Sequence, residues 1–148
     1  MKMTNLEKKL NQYVADLAVM YTKLHNAHWY VQGPIFPQVH VLFEGYYDQV
    51  TMDMDSVAER MLQIGFKPVA NLKNVLAITK IEEMAEGFAK DLDLIKIVKT
   101  DFEHLLKLTL ETKEEAEKAK DDATVDLMNG FTAYYQKALW MLNSTLAK

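Results

Sequence analysis

The chain has 148 residues, no cysteine, a formal net charge of −4, and a composition that is 49% hydrophobic and 26% charged. That is enough for one domain with a real core, read here as a single domain over 1–148, and the composition is that of a soluble globular protein. The missing cysteines exclude disulfides, thiolate metal sites and cysteine nucleophiles, and they fit a cytoplasmic location.

Apolar residues recur at helical spacing almost throughout. Leu6, Leu10, Tyr13, Leu17, Met20 and Leu24 alternate steps of three and four, and Thr4 with Glu7 reads as a capping box that opens the first helix. Gly33-Pro34 and Pro37 end that helix near Val31. A second helix carries Val39, Phe43, Tyr47, Val50, Met54, Val57, Met61 and Ile64, and stops at Gly65 and Pro68. From Val69 to Lys80 the pattern lapses into a long connection, with one short helix expected at Asn71–Ala77. The third helix is expected to show Met84, Phe88, Leu92, Ile95, Phe102, Leu105 and Thr109, then to give way to a solvated turn and loop over the charged stretch Glu111–Asp122. Asp121 or Asp122 can cap a fourth helix with Val125, Met128, Tyr135, Leu139, Leu142 and Leu146 on its stripe. Four long amphipathic helices, with a crossover between the second and third that can run the length of a bundle, predict an all-α, ferritin-like four-helix bundle. No strand is expected. No run approaches the roughly 18 apolar residues that a membrane helix needs, and the polar start Met1–Leu10 does not read as a secretory signal.

Most bundles do no chemistry, so the polar residues set among the apolar ones are the informative ones. His28 closes the first helix, while His40, Glu44, Asp55 and Glu59 lie on the second. At 100° per residue, Glu44, Asp55 and Glu59 fall roughly 40°, 60° and 100° round from His40, on one side of the helix. Imidazole with carboxylate is a mixed nitrogen and oxygen donor set suited to iron, manganese or zinc. Glu44 and Asp55 are separated by about 16 Å along a straight helix, so one metal ion cannot be held by both ends of the set in one chain. Two arrangements satisfy that spacing: two separate weak sites, or a second antiparallel copy whose Asp55 and Glu59 meet the first copy's His28 and His40.

The run Lys23–Pro34 (KLHNAHWYVQGP) continues into Phe36, His40, Phe43 and Glu44, then Asp55-Ser56-Val57-Ala58-Glu59-Arg60 and Ile64-Gly65. It resembles the signature of the Dps family, the ferritin-like mini-cages of bacteria. The match is dense over the first two helices and thin beyond them, where Lys137, Trp140 and Met141 also fit. The resemblance implies a shell of twelve subunits with ferroxidase centres at two-fold interfaces. His28, His40 and Glu44 would come from one subunit, and Asp55 and Glu59 from its partner. Two Fe(II) ions per centre would be oxidised, preferentially by hydrogen peroxide, and stored as ferric mineral in the cavity, with zinc a possible occupant or inhibitor. Trp29 is the family's aromatic near the centre, or else packing at a helix end. Glu117, Asp121, Asp122 and Asp126 fall where relatives line iron-uptake pores with carboxylates, or else form a helix cap and a solvated turn.

Two histidines are set apart from this site. His25 is read as supporting or packing, and His104 of Asp101-x-x-His104 as a surface residue, since bundle-internal di-iron sites need two such motifs on two helices. DNA binding is not inherited from the resemblance. The net charge is negative, only Lys2, Lys8 and Lys9 gather near the N-terminus, and no lysine-rich tail is present. A nucleoid-compacting structural protein is the alternative function.

Overall fold

The computed structural model describes residues 3–148, so Lys2 lies outside the described residues. Four long helices form the bundle: α1 (Asn5–Tyr30), α2 (Phe36–Gln63), α4 (Asp91–Lys118) and α5 (Asp122–Leu146). A short α3 (Leu72–Ile78) rides on the crossover, and two-residue strands β1 (Val31–Gln32) and β2 (Ala89–Lys90) close it. α1 pairs with α2, α4 pairs with α5, and α1 also packs on α4 and α3. Among the described residues no helix is long and apolar enough to cross a membrane.

The predicted stripes form the core. Leu10, Tyr13, Leu17, Met20 and Leu24 of α1 meet Phe43, Val57 and Met61 of α2, Ile95, Phe102 and Leu105 of α4, and Met128, Tyr135 and Leu142 of α5, all fully or almost fully buried. Thr4 caps α1 by accepting from the Glu7 amide at 3.1 Å, and Asp121 caps α5 by accepting from the Thr124 amide at 3.2 Å. The short helix lies one residue later than expected, because Asn71 is its cap and accepts from the Asn74 amide.

Three expectations are corrected. The third long helix begins only at Asp91. Met84 and Phe88 precede it, and Phe88 is 70% exposed, because Gly87 at φ +149° breaks the helical path between them. The same helix runs on through the charged stretch to Lys118, because Thr112 and Ala116 continue its buried stripe and the acids and lysines take the wet side. The third correction is a strand pair where none was expected: β1 lies parallel to β2, with Val31 opposite Ala89 and Gln32 opposite Lys90.

That pairing shows how far the crossover travels. β1 abuts the start of α2 and β2 the start of α4, so residues 64–90 return the whole length of α2, about 42 Å at 1.5 Å per residue. Polar side chains of α1 tie the segment down along the way. Asn11 Oδ1 accepts from the Val69 amide, and Asp16 Oδ1 accepts from the Lys80 amide and the Thr79 hydroxyl, both at 2.7 Å. Further on, Lys23 donates to the Glu82 carbonyl at 2.7 Å, and Asn26 donates to the Met84 carbonyl at 3.1 Å. Side chains on one face of α1 thus satisfy backbone groups along the crossover before β2 joins the strand pair.

Candidate functional site

The corner between α1 and α2 is built by Gly33 and Asp91. The Asp91 carboxylate is buried and accepts from the amides of Ile35 and Leu92. Gly33 has φ +136°, and a Cβ there would collide with that carboxylate. Only glycine fits both the angle and the space. Tied in this way, the corner brings the end of α1 against the start of α2, where His28 and His40 stand.

Each histidine uses its Nδ1 on the other's backbone. His28 Nδ1 donates to the His40 carbonyl at 2.6 Å, and His40 Nδ1 donates to the His28 carbonyl at 2.8 Å. The rings stack with centroids 3.7 Å apart and 10° between planes. A carbonyl oxygen can only accept, so both neutral rings carry their proton on Nδ1 and present a bare Nε2 lone pair. This is the tautomer in which metal-ligating histidines are held, with the second nitrogen donating to a carbonyl. Glu44 stands one turn beyond His40, exposed, with Oε1 3.9 Å from His28 Nε2. His28 itself is only 6% exposed. The chain therefore holds two oriented imidazoles at one corner with the exposed Glu44 carboxylate near His28, a half-site not closed tightly enough to hold a metal ion by itself.

Asp55 and Glu59 are exposed and stand about three and four turns further along α2, away from this half-site. Among the described residues of one chain, no three histidine or carboxylate side chains converge closely enough to hold a metal ion. Asp55 borders an open groove of about 620 Å³ between α1, α2 and α3, walled mostly by Val14, Ala18, Met54, Val69 and Val75. Met52 and Leu72, which also line it, are more than half exposed.

Aromatic rings surround the half-site in a way the periodicity did not single out. The Tyr47 ring lies edge-on to His28 at 5.3 Å and stacks on His25 at 3.7 Å. His25 in turn donates from Nδ1 to the Tyr21 carbonyl, and Trp29, 65% exposed, packs 5.2 Å from it. Partial burial and the neighbouring Glu44 charge hold the Tyr47 phenol above its usual range. A signal was present in the sequence, since Tyr47 lies three residues after Glu44 and seven after His40.

The other flagged residues fall elsewhere. Glu117, Asp122 and Asp126 are exposed around the turn between α4 and α5. Asp121 is engaged. Burial opposes its charge, yet bonds from Thr124 and from Arg60, 2.7 Å away, outweigh this and hold its carboxyl below the usual range. His104 is not the free surface residue expected, because its Nε2 meets the fully buried Asp16 at 2.8 Å. Burial works against the Asp16 charge, but His104, Lys80, Thr79 and Gln12 all bond to it and together lower its pKa.

Asp53, on the buried side of α2, was also overlooked. It is 4% exposed, one oxygen accepts from Gln49 at 2.8 Å, and the other has no partner. Burial pushes its pKa up to about 6, only partly offset by Gln49.

A model of the ferritin-like domain matches residues 7–148. The chain is 40% identical over 137 residues to DNA protection during starvation protein 2 of Bacillus anthracis, covering 93% of each. It superposes on Dps from Staphylococcus aureus with a TM-score of 0.93 at 37% identity, covering 97% of this chain and 96% of the other. Antigen TpF1 of Treponema pallidum superposes with a TM-score of 0.94 at 38% identity, covering 97% and 92%. With a ferritin-like bundle, the paired histidines at its first corner and these relatives over nearly its whole length, the chain belongs to the Dps family.

Proposed function

We propose that the chain is a subunit of an iron-storing cage that oxidises Fe(II), its substrate, and keeps the ferric product as mineral. The observation that carries this reading is the reciprocal bonding of His28 and His40, which leaves two Nε2 lone pairs, that of His28 3.9 Å from Glu44. A bundle has no packing reason to hold two stacked imidazoles with bare nitrogens. A borderline cation such as Fe(II) or Zn(II) does, and zinc is then both a possible occupant and an inhibitor.

Asp55 and Glu59 complete the centre from a second copy. Support comes from their distance from the half-site, their exposure, and the apolar groove and side chains beside them, which a second α1–α2–α3 face would cover. A two-fold axis makes each copy's histidines meet the other's carboxylates, so one interface carries two equivalent centres. Two irons held together in one centre supply two electrons at once: two Fe(II), one hydrogen peroxide and two protons give two Fe(III) and two waters. Peroxide used this way releases no hydroxyl radical. Added carboxylate oxygens favour the harder Fe(III) as it forms. A dodecameric shell in the cytoplasm holds the mineral. Glu117, Asp122 and Asp126 draw cations toward a pore by focused negative potential, with Asp121 already neutralised by Arg60 and contributing less. Trp29 stands near the centre as an auxiliary aromatic.

The experiment is anaerobic Fe(II) titration followed by peroxide, reading Fe(III) absorbance and peroxide consumed per iron. One peroxide per two irons is expected for the native protein. The Asp55→Ala/Glu59→Ala variant should bind Fe(II) more weakly by at least the roughly 10–100-fold that loss of a group supporting a metal ligand costs. Equal behaviour of the two proteins contradicts the reading. Relatives are named for DNA protection during starvation, and this is the ground for a second reading, nucleoid compaction. The net charge of −4 opposes it, and tight retention of DNA in a gel shift at physiological salt would restore it.

A further inference from the structure

Under the crossover lies a cavity that the proposed centre does not use. It holds about 260 Å³ between α1 and the stretch that carries Glu83, Met84 and Glu86. Val19, Asn26 and Tyr30 of α1 line it on one stripe, roughly 120° round the helix from Val14 and Ala18 of the apolar groove. A second copy seated on that groove approaches α1 from another side.

The walls are fixed by contacts of their own. Asn26 Nδ2 donates to the Met84 and Ala85 carbonyls at 3.1 and 3.3 Å, and Lys23 Nζ donates to the Glu82 carbonyl at 2.7 Å. The backbone that presents Glu83 and Glu86 is thereby tied to α1. Two rings complete the lining: Trp29, packed 5.2 Å from His25, and Tyr30, edge-on to Phe88 at 5.4 Å. Three lining side chains are charged, and one of them is already engaged, since Lys23 Nζ lies 2.8 Å from the Asp101 carboxylate. Glu83 and Glu86 are exposed, and among the described residues no lysine, arginine or histidine pairs with either. Asn26 also keeps a buried Oδ1 that has no donor.

We propose that this cavity binds a small alkyldiammonium ion. Two unpaired carboxylates attract positive charge, and ring faces attract an ammonium group through their quadrupole. A metal ion would need three convergent donors, and among the described residues no three histidine or carboxylate side chains converge in that way. A short diamine fits the whole lining instead. Its methylene chain covers the Trp29 ring and the Met84 side chain, and an ammonium at each end meets Glu83 or Glu86. An N–H of the same group is the kind of donor that Asn26 Oδ1 lacks. The site is distinct from the proposed iron centre and stands whether or not that centre oxidises iron.

The test uses iron-free assembled protein at constant ionic strength, with circular dichroism to check the fold of each variant. Butane-1,4-diammonium, butylammonium and Mg(II) are titrated separately and read by calorimetry. Trp29 fluorescence is followed in parallel in Trp140→Phe, which leaves Trp29 as the one tryptophan of the two. Saturable binding of the diamine is expected, about tenfold tighter than that of butylammonium, with a change in Trp29 emission. Glu83→Gln/Glu86→Gln should weaken the diamine about tenfold. Trp29→Leu should weaken it about two- to fivefold, the share of an exposed cation–ring contact. No saturable heat from the diamine overturns the proposal, as does equal binding by the native chain and the double glutamine variant. Butylammonium binding as tightly as the diamine also overturns it, because the two carboxylates then do not act together. So does Mg(II) giving the same Trp29 response at the same concentration, since that is an acidic surface with no preference for an organic cation.

Discussion

At the scale of single residues, the candidate ligands and the buried Asp53 obey opposite rules. The histidines are fixed by backbone carbonyls and keep their useful nitrogens free, whereas Asp53 is buried with one oxygen unpaired. Its folded pKa, about 6, lies above the ordinary 3.8. A raised carboxylate pKa contributes stability that is fully present below about pH 4 and lost as pH rises through about 6. The loss at neutral pH is up to about 3 kcal/mol. Asp53→Asn should therefore be more stable than the native chain at pH 7.5, with the advantage shrinking toward pH 4. Denaturant unfolding at both pH values measures it, and a native chain that gains stability between pH 4 and 6 relative to Asp53→Asn contradicts it. The ligand candidates were legible in the sequence because they interrupt an apolar stripe with chemistry that a core does not need. The tautomer was not legible, because it depends on where two carbonyls point. Asp53 was missed because it lies between exposed Met52 and half-buried Met54 and resembles an ordinary charged residue.

Between elements, the chain turns its corners with specific side chains. Gly33→Ala places a Cβ into the Asp91 carboxylate at a backbone angle that alanine avoids. The expected cost is about 1–3 kcal/mol, together with weaker Zn(II) or Fe(II) binding as the His28 and His40 carbonyls move apart. Thermal melts and metal titration read the two effects, and unchanged values in both would show that the corner does not set the half-site. Asp16→Ala removes the group that joins the Thr79–Lys80 stretch to α1 and to His104. Proteolysis within residues 79–90 should accelerate several-fold while α1, α2, α4 and α5 stay resistant, because the crossover holds few core side chains of its own. Equal cleavage rates contradict that role. Helix stripes and caps made the bundle legible, including the short α3 to within one residue. The boundary of α4 failed at both ends for physical reasons: Gly87 hides a break among apolar residues, and surface charges disguise helix where Thr112 and Ala116 are buried. The β1–β2 pair is two residues long and has no periodicity to read.

For the whole molecule, the proposed centre joins the half-site and the carboxylates across two copies. Spacing along α2 stated that problem from the sequence, and the extended helix keeps Asp55 about three turns and Glu59 about four turns from Glu44. The apolar groove beside Asp55 belongs to the same account, since its exposed Met52 and Leu72 gain most from burial against a second copy. Changing both to Glu should weaken association and iron oxidation together, measured by analytical ultracentrifugation alongside Fe(III) absorbance. An assembly that dissociates but oxidises iron at the native rate would separate the two. The most direct measurement mixes two inactive chains, His28→Ala/His40→Ala and Asp55→Ala/Glu59→Ala, by co-expression, and follows Fe(II) oxidation by peroxide. A hetero-interface restores one complete centre of its two, so random assembly should recover about a quarter of native activity. Recovery no greater than the sum of the separate variants would contradict a centre shared between subunits.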